Sequence, residues 1–217
     1  MVRIIKPCVE VITPLDGEQI LKHLEVCGRT CYKSADKITP DSARTLINNL
    51  IKMRHESVLE HFSITVRFTC DIGVYKDLTR HRIASFSIES TRYCNYSKGK
   101  FGSELKVIEP CHIKKDTPEY AIWLETMEYI EKQYIKMSEI EGVRPDQLRM
   151  ILPHSTAAEV CMTANIREWR HVFALRCAKA AHPTVQEVMK MLLEIFHTKI
   201  PVLFDDLYEQ FFIEEEV

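Results

Sequence analysis

Chemistry concentrates in Thr79-Arg80-His81-Arg82-Ile83-Ala84-Ser85-Phe86-Ser87-Ile88-Glu89-Ser90-Thr91-Arg92-Tyr93, where three arginines, one histidine and three serines accompany a single carboxylate. Guanidinium groups present a rigid fork of donors that matches phosphate oxygens, and hydroxyls with backbone N–H groups can complete such a cradle. A site for a phosphorylated ligand is one reading of this run. A solvated basic face with incidental hydroxyls is the other, because short motifs recur by chance.

A second polar group is His55-Glu56-Ser57-Val58-Leu59-Glu60-His61. A zinc-protease helix needs histidine where this chain has Leu59, so no metal is expected. The segment reads equally as a loop that binds phosphate or ribose and as a turn that satisfies its own backbone. Arg149, Arg167 and Arg176 are single cations on expected helices. Arg176 stands between Phe173-Ala174-Leu175 and Cys177-Ala178, and a charge in such apolar company needs a partner, either an anionic ligand or a carboxylate. There is no Gly-x-Ser-x-Gly elbow and no Walker loop, and the six glycines form no dinucleotide fingerprint. Any cofactor must therefore be held by side chains.

The elements that position these groups follow from hydrophobic spacing. Residues 3 to 13 read as a strand ending at Pro14. Gly17 to Cys31 has Ile20, Leu21, Leu24 and Cys27 at helical spacing with Asp16 as cap. In the next helix Thr39 is the expected cap and Pro40 the first helical residue, with Ala43, Leu46, Ile47, Leu50 and Ile51 as its stripe. From His61 to Cys70 the sequence alternates as a half-buried strand does, and a short helix from Gly73 leads into the basic run. Asn95 to Gly102 reads as a loop and Leu105 to Ile108 as a strand. A long helix from about Thr117 to Ile140 has Asp116 as its expected cap. A helix opening at Arg144-Pro145 and a strand over Ala157 to Ala164 follow. Asn165 with Glu168 has capping-box spacing at the head of another helix, and helices from Pro183 to His197 and after Pro201 complete the chain. Helices mixed with few strands favour α+β over regular βαβ alternation.

Composition narrows the class. With 217 residues, 46% hydrophobic and 28% charged, the chain suits one buried core of a soluble protein. A formal net charge of -2 argues against general nucleic-acid binding. No apolar run approaches the roughly 20 residues that span a bilayer. Arg3 interrupts the only apolar stretch at the start, so no secretory signal is expected and a cytoplasmic location is. Eight scattered cysteines then read mostly as buried free thiols.

Arg80-His81-Arg82, seven residues, then Ser90 resembles the Arg-His-Arg-x7-Ser signature of the flavin-dependent thymidylate synthases. The likeness extends to His55 through His61, to Arg149 before Ile151-Leu152-Pro153, and to Asn165-Ile166-Arg167 through Arg176. It implies one domain over residues 1–217, built as α+β with a central antiparallel or mixed sheet flanked by helices. It also implies a homotetramer that binds FAD and dUMP at subunit interfaces. The family methylates dUMP to dTMP, with 5,10-methylenetetrahydrofolate as carbon donor and NADPH reducing the flavin that supplies hydride. By position, His55, Ser57, Glu60, Arg80, His81, Arg82, Asn165, Arg167 and His171 look like cofactor-binding residues. Asp77, Arg80, Glu89, Ser90, Arg92, Arg149 and Arg176 look like substrate-binding residues, with Ser90 and Arg176 standing as catalytic. Without an adjacent base, the Ser90 hydroxyl is better cast as a positioning group. Three positions depart from the pattern: Ile88 where Gln or Glu is frequent, Asp77 where Gln or Glu is usual, and His171 where Asn is frequent. A nucleotide-binding regulatory module without catalysis is the alternative function.

Overall fold

The computed structural model describes residues 2–97 and 104–213. The loop expected over Asn95 to Gly102 lies outside the described residues from position 98 onward. Six strands and eight α-helices are found among the described residues, so the α+β class holds. β1 (Arg3–Ile5) pairs in parallel with β5 (Lys106–Ile108), Ile4 opposite Val107. β2 (Cys8–Val11), β3 (Ser63–Asp71), β6 (Ala157–Asn165) and β4 (Ala84–Ile88) form a small antiparallel sheet in the order β2-β3-β6-β4. The strand expected over residues 3 to 13 is thus two strands in two sheets. Pro7 stands at the break, where its missing N–H cannot serve a ladder.

The chain divides into two compact units: Met1–Cys8, Phe68–Arg80 and Phe86–Cys161 in the first, Val9–Arg67, His81–Ser85 and Met162–Val217 in the second. In the first, α3 (Ile72–Leu78) is capped by Asp71, whose Oδ1 accepts from the Val74 N–H at 2.8 Å. Val2, Tyr96, Leu105, Val107, Met127, Tyr134 and Leu148 form its core, with α4 (Pro118–Ser138) and α5 (Pro145–Leu148) supplying the last three. Buried Glu131 is satisfied by the Leu105 N–H at 2.9 Å. The cap of α4 is Thr117, which accepts from the Tyr120 N–H at 3.3 Å. The expected Asp116 instead has a φ of 62°, outside extended capping geometry.

In the second unit, α1 (Gly17–Thr30) begins at Asp16 as expected, with Oδ1 accepting from Gln19 N–H at 3.0 Å. A Cβ at Gly17 would sit 2.4 Å from the Lys199 carbonyl oxygen, so only glycine permits this approach to the end of α7 (Pro183–Lys199). α2 (Ser42–Lys52) starts two residues after the expected Pro40. Thr39 does not cap it; the Ser42 hydroxyl closes a local turn by donating to the Thr39 carbonyl and accepting from its N–H. α6 (Ile166–Arg176) and α8 (Pro201–Tyr208) join α7 around an aromatic centre. There Phe173 lies edge-on to Phe196 at 5.6 Å and to Phe204 at 5.7 Å. Trp169 is fully buried, and its indole N–H donates to the Ile64 carbonyl at 3.0 Å. Its apolar area and satisfied donor anchor α6 on β3.

Candidate active site

α6 positions Arg167, Glu168, Arg170, His171 and Arg176 of the second unit. Asn165 caps it, Oδ1 accepting from the Glu168 N–H at 2.8 Å. Only half of the expected capping box forms, because the Glu168 carboxylate turns to His81, with Oε1 3.3 Å from Nδ1. On the other side of that imidazole, Arg176 Nε donates to His81 Nε2 at 3.0 Å. Arg176 thus finds a histidine acceptor, a partner the sequence reading did not name. His171 packs edge-on against His81, ring centroids 5.8 Å apart.

One turn along, Arg167 Nη1 donates to Glu60 Oε1 at 2.5 Å, and buried Arg170 is held in three ways. It donates to both oxygens of Asp206 at 2.9 and 2.6 Å and to the Leu203 carbonyl at 2.5 Å, and its Nε lies 3.4 Å from Glu56 Oε1. Burial alone would lower the Arg170 pKa, but Asp206, joined by Glu56, raises it above its ordinary value. The segment 55–61 is thus more than a turn that satisfies its own backbone. Glu56–His61 is a 3-10 helix whose carboxylates at 56 and 60 reach arginines of α6.

Glu60, Asn165, Arg167 and His171 line one cavity of about 680 Å³ in this unit. Arg54, Glu56, Glu168 and Arg170 add polar groups, while Ile83, Ala174 and Leu207 give it apolar wall. His55, Ser57 and Arg82 are exposed and His81 is buried, and none of the four belongs to that lining among the described residues. Arg54 holds a φ of 57°, a conformation that favours glycine. Sequence reasoning missed Arg170 and Glu56 as wall residues and read Glu168 only as a capping group. Arg170 lies one helical turn from Arg167, and that spacing was the available signal.

Donor chemistry decides what the cavity can hold. Arginine, asparagine and histidine side chains beside an apolar wall suit a ligand with a flat ring and phosphates, and Arg167, Asn165 and His171 are the groups that would hold one. Metal is less well served. His81, Glu168 and His171 do bring ligand atoms within 4.8 Å of one another. The Arg176 guanidinium occupies His81 Nε2, however, and its charge opposes a second cation there.

Of the remaining predicted residues, Asp77, Arg80, Glu89, Ser90, Arg92 and Arg149 belong to the first unit. Ser87, Ile88, Glu89, Cys94, Tyr96 and Cys161 are among the residues lining a cavity of about 720 Å³ there. Both Glu89 oxygens already accept from the protein, one from Tyr96 Oη at 2.8 Å and one from the Glu159 N–H at 3.1 Å. Glu89 thus braces the wall, and Ile88 leaves its neighbouring surface apolar. Burial and the Glu89 charge push the Tyr96 phenol far up, so it stays a donor. Ser90 sits in a turn, its carbonyl accepting from Tyr93 and Cys94 N–H at 3.0 Å each. Arg92 is exposed, 5.5 Å over the Tyr93 ring. Arg149 is exposed, and Asp77 is half-buried on α3.

Comparison with known proteins gives this arrangement a lineage. Residues 16–202 match the family model described as thymidylate synthase complementing protein, Thy1. A flavin-dependent thymidylate synthase of Pyrococcus abyssi is 34% identical over 165 residues, 75% of this chain and 66% of that protein. One from Pyrococcus furiosus is 31% identical over 168 residues, 77% of this chain and 68% of that protein. The match thus spans about two thirds of the length of these archaeal relatives. A crystal structure of the UMP/dUMP methylase PolB from Streptomyces cacaoi, bound with 5-Br dUMP, has the same fold, with a TM-score of 0.74 at 22% identity. It covers 97% of this chain and 98% of that one. Family model and relatives agree, and the chain belongs to the Thy1 family of flavin-dependent thymidylate synthases.

Proposed function

We propose that this chain catalyses the reductive methylation of dUMP to dTMP, with bound FAD, 5,10-methylenetetrahydrofolate as carbon donor and NADPH as the reductant of the flavin. The observation that carries the reading is the 680 Å³ cavity of the second unit. Glu60, Asn165, Arg167 and His171, assigned to the cofactor through the family signature, all line it. Bound flavin supplies the hydride; the protein's part is to hold and polarise. Uracil C5 is a poor nucleophile, so guanidinium groups that stabilise negative charge developing on the pyrimidine favour its attack on the methylene carbon. Arg80, Arg92, Arg149 and Arg176 are the groups assigned to that task, with Ser90 positioning the nucleotide. No cysteine lies inside the signature, and Cys94, just beyond it, is half-buried in the first unit. A homotetramer with ligand sites at subunit interfaces and a cytoplasmic location belong to the same reading. Among the described residues no helix is long and apolar enough to cross a membrane.

The purified protein should be yellow, its flavin absorbance should elute with the protein on gel filtration, and dUMP should perturb the flavin spectrum. A colourless protein that takes up no added FAD would overturn the proposal.

A further inference from the structure

Glu168 is the buried carboxylate of α6 to which neither cofactor nor nucleotide assignment gives work. Its side chain has left the helix cap, where an acidic residue three positions after the cap ordinarily reaches back to the cap N–H. It meets His81 instead.

We propose that Glu168 is a positioning residue: it fixes His81 as the neutral imidazole protonated on Nδ1, and His81 in that form holds the Arg176 guanidinium where the nucleotide needs it. The identity of the ligand rests on the proposed function. The tautomer does not.

Arginine remains protonated at any pH a protein tolerates, so Arg176 Nε, 3.0 Å from His81 Nε2, is a donor and Nε2 must offer its lone pair. The one ring proton of neutral His81 then sits on Nδ1, which faces Glu168 Oε1 at 3.3 Å. With the proton on Nε2, two N–H groups would oppose each other on one side of the ring, and a lone pair would oppose a carboxylate on the other. An imidazolium would keep Glu168 and lose Arg176. Glu168, His171 and Arg176, which face His81, all project from α6. His81 and Glu168 are 4% and 8% exposed, so water offers little substitute for either bond. Burial also pushes the Glu168 carboxyl above its ordinary pKa. Keeping it ionised beside His81 is therefore unfavourable in isolation, as expected of a group retained for what it orients.

The test measures dUMP affinity in FAD-loaded protein by titration calorimetry. Glu168→Met keeps the volume and removes the acceptor, and dUMP Kd should rise about tenfold, the scale of one charge-assisted hydrogen bond. Glu168→Gln retains an oxygen for Nδ1–H and should bring Kd back to within about threefold of the native protein. Because Glu168 acts through Arg176, adding Glu168→Met to Arg176→Ala should change Kd by less than about twofold beyond Arg176→Ala alone. Native affinity in Glu168→Met, a Gln variant as weak as Met, or multiplying effects in the double variant would each overturn the positioning role. Native protein that binds FAD but not dUMP would overturn the functional reading instead.

Discussion

Replacing Asp206 by Asn leaves the guanidinium of Arg170 short of a counter-charge in the wall of the second unit's cavity. Arg170 is 8% exposed and donates two bonds to Asp206, at 2.9 and 2.6 Å. Asparagine keeps one acceptor oxygen, but its amide N–H group meets Arg170 Nη2 donor to donor. Glu56, 3.4 Å from Nε, then becomes the nearest carboxylate to Arg170 among the described residues. Breaking a fully buried pair costs about 3–5 kcal/mol. Here the Leu203 carbonyl still accepts and Asp206 is 52% exposed, so water enters and the expected cost is about 2 kcal/mol. For a chain of this length, that corresponds to a fall in Tm of about 4–8 °C by circular dichroism. Asp205→Asn is the control. Its partner His197 lies 2.9 Å away, but the pair is 49% and 33% exposed, and the loss should be at most about 1 kcal/mol. FAD affinity should fall in Asp206→Asn as well, since α6 carries Asn165, Arg167 and His171. Equal Tm for Asp206→Asn and the native protein would refute the reasoning.

Arg92→Ala should weaken dUMP binding about 10- to 100-fold in calorimetry and FAD binding much less, because its assigned partner is the nucleotide. Equal losses for both ligands would move it to the flavin. Lys115 and Tyr120, at 2.8 and 2.9 Å, hold the Glu109 carboxyl below its ordinary pKa. That contribution is present above the unfolded-state pKa of about 4.3 and lost as pH falls through the lowered folded value, so Glu109→Gln should flatten acid unfolding in that window. In native protein, Cys8, Cys31 and Cys111 should react with a thiol reagent while Cys70 and Cys177 wait for denaturant. The first three are exposed, the last two are buried, and burial raises the Cys70 thiol.

The basic run shows how far residue types carry. Its charge was legible, and so was the short helix before it, but the strand Ala84–Ile88 inside it was not drawn from the sequence. Ala84, Phe86 and Ile88 alternate with Ser85 and Ser87, a period-two pattern only five residues long and set among charged neighbours. Strong local signals came through: the Asp16 and Asn165 caps, the alternation of β3 and the stripe of α2. Caps set by one atom did not. Thr117 and Asp116 are both good capping types, and the backbone at 116 decided between them. At the site, resemblance supplied nine cofactor residues, and the fold put four of them, Glu60, Asn165, Arg167 and His171, on one cavity. Arg170, Glu56 and Glu168 stayed hidden because their roles depend on partners distant in sequence: Asp206, α6 and His81. No periodicity encodes such pairings.

Release of tritium from C5 of labelled dUMP follows the proposed methylation directly. Purified protein carrying FAD, supplied with NADPH and 5,10-methylenetetrahydrofolate, should release tritium and form dTMP, and protein stripped of its flavin should not. Protein that binds both FAD and dUMP yet releases no tritium would be a nucleotide-binding module without catalysis, and the account would be wrong.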